Sequence, residues 1–326
     1  MKKIKQNVEF VVLITLILLY CWANYNRNLV WKDDVTLWSD VVKKSPEKYR
    51  THNNLGLAYF NEKDYDMAMA EFIETLRLNP RAEKAYLNIG QIYEERGRIK
   101  EAIEEYQKAL KINADSVGAL HFLGNIYEKQ GLLDMALLHY KKAFSIDPDN
   151  PKLLVSLGST FQKKGLIVEA LNQYTMALSI NPDLPEAYYN IGLVYDEKGL
   201  PNRALYYYQQ ALKLKPDYPQ ALSNLGIIYA STGRLAEAVD LFKKALNIAP
   251  DDTITLFNLG LAYEELAKSY ELQAMSIEHR AKGEDYKAMS HELRAKAVEA
   301  YQKVLKIDPE NVQVKERMTK LRATNY

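Results

Sequence analysis

Cysteine is almost absent from this sequence, because Cys21 is the only one among 326 residues. A single thiol cannot form an intramolecular disulfide or a thiolate metal cluster, so we expect neither. Histidine is rare too, and its positions show no metal-ligand spacing with one another or with carboxylates. The five are His52, His121, His139, His279 and His291. The sequence therefore predicts no metal and no cofactor.

Motifs for catalysis are also missing. No nucleophile motif and no glycine-rich phosphate loop is present, so the sequence predicts a protein that is not an enzyme. The charges nearly cancel, with 43 Lys and Arg against 42 Asp and Glu. Because a nucleic-acid-binding protein needs a basic surface, this balance argues against nucleic acid as a partner.

Glycine is not abundant, at 14 residues, but half of the glycines recur at intervals of 34 residues. These seven are Gly56, Gly90, Gly124, Gly158, Gly192, Gly226 and Gly260. A bulky apolar residue precedes each one, and an aromatic residue follows three positions later. In the first six copies an alanine lies twelve positions after the glycine, and a second aromatic lies four further on. A proline, or Ala114 in one copy, closes each of these units.

This pattern predicts a pair of antiparallel helices in every unit. Apolar residues spaced three and four apart lie on one face of a helix. Glycine and alanine suit the positions where two helix backbones approach closely, and the aromatic rings fill the space beside them. Proline ends the second helix. One such hairpin cannot bury its apolar face alone, so neighbouring hairpins must stack and share a core.

The period, the small residues and the closing proline resemble the tetratricopeptide repeat family, from residue 34 to about residue 311. This resemblance implies an all-α fold, a right-handed α-α superhelix in which the first helix of each repeat lines a concave groove. We expect a half repeat and junction over 32–48, six regular repeats over 49–252, and a capping helix over 310–326.

The seventh repeat, over 253–309, departs from the regular spacing. Leu272 stands where an alanine is expected, and the alanine that fits the pattern, Ala297, lies 25 residues later. We expect the inserted stretch, 266–293, to form two lengthened helices that meet near Gly283. Its Ala, Leu and Met content exceeds what solvated helices need, so this stretch is a candidate for self-association or for docking a partner.

Residues 1–31 differ in composition from the repeats. Three lysines precede a run without charge, residues 10–23, in which Thr15 is the only polar residue. Fourteen helical residues span about 21 Å, less than the roughly 30 Å of a bilayer core, but the flanking residues supply the missing length. We expect a transmembrane or signal-anchor helix. A cleaved signal peptide and a core helix are the alternatives.

The lysines before this run predict that the N-terminus stays in the cytoplasm and that the repeats are exported. Residues 27–34 (RNLVWKDD), 43–46 (KKSP) and 52–59 (HNNLGLAY) resemble a known junction. It joins the last transmembrane helix to the tetratricopeptide tail in bacterial mannosyltransferase-like membrane proteins. The resemblance implies a single-pass protein of the bacterial inner membrane whose repeats face the periplasm or the outside. It implies no transferase activity, because the multi-span catalytic core of that family is not in this sequence.

Asparagine recurs two residues before the repeat glycine in five of the seven repeats. These are Asn54, Asn88, Asn190, Asn224 and Asn258, and Phe122 and Ser156 interrupt the row. In the tetratricopeptide fold this register faces the concave groove, where amides are placed to hydrogen-bond the backbone of an extended peptide. The row resembles an asparagine ladder in the repeat domain of O-linked N-acetylglucosamine transferase. The alternative is that each amide bonds a neighbouring helix.

Charged residues also follow the groove register. Basic residues lie six before the glycine in early repeats, at Arg50, Lys84 and Lys152, with Glu186 later. Acidic residues lie four or five after it, at Glu94, Glu95, Glu128, Asp196, Glu197, Glu264 and Glu265. Acids near a helix C-terminus are mildly unfavourable, which hints at another use, although a solubilising surface is the simpler interpretation.

Together these features predict a non-enzymatic, membrane-anchored scaffold that binds protein or peptide segments in the concave groove. The alternative function is an accessory subunit, or a detached repeat tail, of a membrane glycosyltransferase system.

Overall fold

All regular secondary structure in the computed structural model, which describes residues 2–276 and 280–323, is α-helical. That part of the chain contains seventeen helices and no strand. The first eight are α1 (Lys2–Val30), α2 (Asp34–Lys44), α3 (Tyr49–Asn61), α4 (Tyr65–Leu78), α5 (Glu83–Glu95), α6 (Ile99–Ile112), α7 (Val117–Lys129) and α8 (Leu133–Ile146). The others are α9 (Pro151–Lys163), α10 (Ile167–Ile180), α11 (Pro185–Glu197), α12 (Pro201–Leu214), α13 (Pro219–Ser231), α14 (Leu235–Ile248), α15 (Thr253–Ser276), α16 (Arg280–Ile307) and α17 (Val312–Ala323).

The chain divides into two units, Met1–Pro148 and Asp149–Tyr326. Helices α2 to α8 pack in order in the first unit, and α9 to α17 do so in the second. The first helices of neighbouring repeats also touch each other directly, α3 with α5 in one unit and α9 with α11 and α13 with α15 in the other. We call the surface that these odd-numbered helices form in each unit the first-helix face.

The repeat glycines lie where the two helices of one repeat come closest. A Cβ atom built on Gly56 would lie 2.6 Å from Cε1 of Phe72, whose ring is fully buried on the second helix. The same overlap would occur at the other six glycines. Their rings are those of Tyr106, Tyr140, Tyr174, Tyr208, Phe242 and Tyr301. Each ring occupies the space that a side chain would need at the glycine.

A residue with positive φ ends the first helix of each regular repeat. In five repeats it is a glycine seven positions after the repeat glycine, namely Gly97, Gly131, Gly165, Gly199 or Gly233, with φ between 66° and 79°. Lys63 adopts the same left-handed conformation in the first repeat, with φ 62°. Ala267 holds this register in the seventh repeat, and there α15 continues through it to Ser276.

Helices α15 and α16 are 24 and 28 residues long, against 13 and 14 in a regular repeat such as α3 and α4. The two lengthened helices that the sequence predicts are therefore present, but α16 already begins at Arg280, so Gly283 lies in its first turn rather than between the helices. A Cβ atom on Gly283 would lie 3.4 Å from the backbone oxygen of Ala274. This is an ordinary van der Waals distance, so Gly283 lies beside α15 without a steric need for glycine. His279 lies outside the described residues.

The two ends of the chain differ in burial. At the end of the second unit, Val314, Met318 and Leu321 of α17 are buried in the core of the last repeat. Along α1, by contrast, the described apolar side chains are exposed, and Leu18 is 63% exposed. A core helix was therefore a wrong alternative for this part of α1. Among the described residues, no helix has the length and hydrophobicity needed to cross a membrane.

Candidate functional site

Two of the five asparagines lie on the first-helix face of the first unit, and both are half-buried. On α5, Nδ2 of Asn88 donates a hydrogen bond to Oδ1 of Asn53, at 3.3 Å. The amide of Asn54 on α3 has no hydrogen-bond partner within the described residues, and it lines a cavity. Asn88 thus bonds a neighbouring helix, which is the alternative that we gave for these amides. Asn54 keeps its hydrogen-bonding capacity for another molecule.

The second unit holds the other three asparagines, which are also half-buried. Nδ2 of Asn224 donates to the hydroxyls of Tyr189 and Tyr208, at 3.3 and 3.4 Å. The amides of Asn190 and Asn258 have no hydrogen-bond partner in the part of the chain that the structure describes. The row of five amides is therefore not uniform, since two of them bond neighbouring residues and three do not.

Phe122, which replaces the asparagine in the third repeat, has a packing role. The ring of Phe122 stacks on that of Tyr106, with centroids 5.1 Å apart and an interplanar angle of 19°. An apolar ring at this register covers the buried tyrosine of the preceding repeat. An asparagine there would leave that contact unmade, so the gap in the row has a structural reason.

A cavity of about 400 Å³ opens between α3, the end of α4 and the start of α5. We call it the α3–α5 cavity. It brings together Asn54, Arg50 and Lys84, which the sequence placed in the groove register. Asn79 and Arg81 also line it, but they belong to the loop between two repeats. Because loop positions have no helical period, sequence reasoning had no signal for these two.

Acidic residues of the groove register have an internal partner. The Tyr106 hydroxyl donates to Oε1 of Glu94 at 2.6 Å, and the Tyr140 hydroxyl donates to Oε2 of Glu128 at 3.0 Å. In the seventh repeat the hydroxyl of Tyr301 donates in the same way to Glu264. Burial, followed by the hydrogen bond to the acid, raises the pKa of Tyr106 far above its ordinary value. Glu94, Glu128 and Glu264 thus accept hydrogen bonds from buried hydroxyls, a role that the sequence analysis did not assign to them.

No constellation for metal chemistry is found in the described ranges. No group of three or more His, Cys, Asp and Glu side chains there is arranged to hold a metal ion. His139 stacks on the ring of Tyr127, with centroids 5.3 Å apart, and His291 is exposed. The α3–α5 cavity offers amide and cationic groups instead.

Sequence models of one family match most of the repeats. A model described as TPR repeat matches residues 90–131, 124–165 and 167–199. Models described as tetratricopeptide repeat match residues 189–253 and 49–81, and together the matches cover more than half of the chain. The chain belongs to the tetratricopeptide repeat family. Tetratricopeptide repeat proteins generally mediate protein–protein interactions, and their fold is typically a non-catalytic scaffold. These matches begin at residue 49, after the predicted junction.

Solved structures share this fold. A chain of the APC/C hetero-tetramer Cut9–Hcn1 is 20% identical over 69% of this chain and 45% of that one, with a TM-score of 0.63. This chain thus spans less than half the length of that relative. PilF of Pseudomonas aeruginosa is 19% identical over 74% and 98%, with a TM-score of 0.58. YrrB, described as a TPR protein with an unusual peptide-binding site, is 23% identical over 57% and 95%, with a TM-score of 0.43. A search of curated proteins found no match.

Proposed function

We propose that this protein is a non-enzymatic scaffold that binds polypeptide segments on the first-helix face of its repeats. One observation carries the proposal: the amides of Asn54, Asn190 and Asn258 are half-buried on that face and have no hydrogen-bond partner in the described structure. Each amide has two donors and an acceptor, which complement the N–H and C=O groups of an extended backbone. Such contacts are independent of the ligand's side chains.

The proposal assigns different roles to the five asparagines. Asn88 and Asn224 position their neighbours, because their amides already bond Asn53 and two tyrosines. The ligand contacts come from the other three. In the second unit these are Asn190 and Asn258, so we propose that a bound segment passes across the repeat that lies between them.

Replacing Asn190 and Asn258 together by alanine tests this role. We expect peptides selected from a random displayed library on the full chain to bind the double variant more weakly, by roughly 1–3 kcal/mol for two lost hydrogen bonds. Helical content should remain, because alanine is the best helix former. Isothermal titration calorimetry with the selected peptides and circular dichroism measure the two effects.

The matched control changes two asparagines on second helices. Asn172 on α10 and Asn247 on α14 are exposed, so Asn172→Ala with Asn247→Ala removes the same groups from another face. That variant should bind the selected peptides as the native chain does. An equal loss in both variants, or a selection that yields no binding peptide, would contradict the proposed function.

We further propose that α1 attaches the protein to the bacterial inner membrane, with the repeats facing the periplasm or the outside. The exposed apolar side chains of α1, together with the three lysines before them, support this attachment. The resemblance of residues 27–34, 43–46 and 52–59 to the mannosyltransferase-like junction favours a second candidate function. In that case the scaffold serves as an accessory subunit or detached repeat tail of a membrane glycosyltransferase system.

A further inference from the structure

The α3–α5 cavity has an unusual distribution of charge. Three cationic side chains line it, Arg50, Arg81 and Lys84, against one carboxylate, Glu83. Both oxygens of Glu83 are engaged by the next repeat. Oε2 accepts a hydrogen bond from Nδ2 of Asn113 at 2.9 Å, and Oε1 accepts one from the hydroxyl of Ser116. The carboxylate of Glu83 therefore does not pair with the cations of the cavity.

Ion pairing distinguishes the two arginines of the cavity from Arg77, Arg96 and Arg98 of the same unit. Arg77 lies 2.7 Å from Glu74, Arg98 lies 2.7 Å from Glu101, and Arg96 pairs with Asp66. Within the described residues, Arg50 and Arg81 have no carboxylate partner. Arg50 instead donates from Nε to the Tyr49 hydroxyl at 3.2 Å, a bond that lowers the pKa of Tyr49. The guanidinium keeps its remaining N–H groups for a ligand.

The amides of the cavity add further donors. Oδ1 of Asn53 accepts from Asn88 at 3.3 Å, and Oδ1 of Asn79 accepts from the backbone N–H of Arg81 at 3.1 Å. The amide of Asn53 retains its NH2 group, whereas the amide of Asn79 also hydrogen-bonds the Tyr49 hydroxyl. Two helices, α3 and α5, also begin at the cavity, and neither has a side-chain cap. The positive ends of their dipoles add to the field of the cations.

We propose that the α3–α5 cavity binds a carboxylate side chain of the polypeptide segment held by the first-helix face, so that the protein selects acidic segments. This inference rests on the proposed function and names the ligand chemistry of the same face. Asn54 lines the same cavity, so an acidic residue can enter it while the amide bonds the adjacent backbone. Arginine suits this role because its planar fork of donors matches both oxygens of a carboxylate.

Fluorescence anisotropy with the full chain at low salt tests the proposal, with labelled decaglutamate as the probe and decaglutamine as its neutral counterpart. The test variant is Arg50→Gln with Arg81→Gln. The matched control is Arg77→Gln with Arg96→Gln, which removes the same two charges from the same unit but outside the cavity. We expect decaglutamate to bind more tightly than decaglutamine. The test variant should lose at least about tenfold in affinity for decaglutamate, and the control less than about threefold.

Several outcomes overturn the inference. Equal losses in the two variants would show a general attraction between a basic surface and an acidic chain. Full competition by inorganic phosphate would show a site for free anions. Failure of decaglutamate to bind the native chain would also contradict the proposal.

Lys84→Gln is an independent variant should the arginine pair fail to fold, and it must likewise weaken decaglutamate binding. If decaglutamine binds and depends on Asn54 while the arginine variants change nothing, the proposed function stands and this inference fails.

Discussion

At the scale of single residues, the ring buried on the second helix of a regular repeat packs near the residue twelve positions before it, and the two residue types are matched. For the buried Tyr106, Tyr140 and Tyr174 the first helix supplies an acceptor at that position, as Gln162 does for the hydroxyl of Tyr174 at 3.0 Å. Where the ring is Phe72 or Phe242, the corresponding residue is Phe60 or Ala230. A buried hydroxyl without an acceptor costs free energy, whereas a phenylalanine ring needs none. This covariation is visible in the sequence once the pairing is known.

His52 on α3 is 7% exposed, and both of its ring nitrogens face acceptors. Nδ1 lies 2.6 Å from Oε2 of Glu71, and Nε2 lies 2.8 Å from the backbone oxygen of Pro46. A neutral imidazole donates from one nitrogen only, so both bonds form when the ring is protonated. Burial by itself lowers the pKa of His52. The hydrogen bonds to Glu71 and Pro46, and the charges of Glu71 and Glu74, outweigh burial and raise the pKa above 6.5.

Because the pKa of His52 is higher in the folded than in the unfolded chain, its protonation stabilises the first unit at low pH. This contribution is complete below pH 6.5, the ordinary histidine value, and is lost as pH rises through the raised pKa. We expect the free energy of unfolding to fall over that window by about 1.4 kcal/mol for each unit of pKa difference. Urea unfolding of the full chain across the window measures it. The variant His52→Gln should lack this pH dependence, and an unchanged profile would assign it to another group.

At the scale of elements, the seventh repeat differs from the regular repeats at the residue that ends the first helix. Five regular repeats have glycine at the register of Ala267, and a left-handed residue there ends the first helix. Alanine favours the right-handed helix, and α15 continues through Ala267, although Lys63 shows that a residue other than glycine can adopt the left-handed conformation at this register. Helix α16 returns alongside α15. Arg294 lies 2.6 Å from Glu271, and the rings of Tyr270 and Tyr286 lie 5.7 Å apart. These contacts hold the two lengthened helices together.

The lengthened helices expose apolar side chains, with Leu272 at 69% and Met275 at 81% exposure. We expect this surface to mediate self-association of the protein. Deleting residues 268–292 and adding Ala267→Gly restores the regular spacing and turn. This variant should keep its repeat fold but no longer self-associate. Sedimentation velocity and circular dichroism measure the two properties.

Two further variants separate the effect of the turn residue from that of the exposed apolar surface. The deletion without Ala267→Gly should be less stable by about 1 kcal/mol, because alanine resists the left-handed turn. Leu272→Ser with Met275→Ser should abolish self-association and leave the lengthened helices intact. An oligomeric state that stays unchanged in both the deletion and the double substitution would assign no contact role to this surface.

At the scale of the whole molecule, the proposed membrane attachment by α1 predicts which side of the membrane the repeats occupy. Lys2, Lys3 and Lys5 precede the apolar stretch, and positive residues are retained in the cytoplasm. We therefore expect protease added to intact spheroplasts to digest the repeats, as immunoblotting would show. Replacing the three lysines by glutamate should reduce export. Repeats that become sensitive only after the membrane is lysed would contradict this topology.

The sequence alone determined the class of this protein. An interval of 34 residues, with glycine, alanine and aromatic residues at fixed positions, encodes local helix pairs whose apolar faces need neighbours. The all-helical tetratricopeptide fold follows, because helical period and turn residues are local properties of the chain. The register of the five asparagines was visible for the same reason.

Only the tertiary structure decided which of those asparagines are available to a ligand. Asn88 and Asn224 bond residues about one repeat away, and such partners are set by how neighbouring repeats pack. The same holds for Gly283, which lies in the first turn of α16 rather than between the two lengthened helices. The α3–α5 cavity likewise combines helix positions with a loop arginine that has no place in the period. Hydrogen bonding and ion pairing depend on distances across repeats, which a periodic pattern along one chain does not specify.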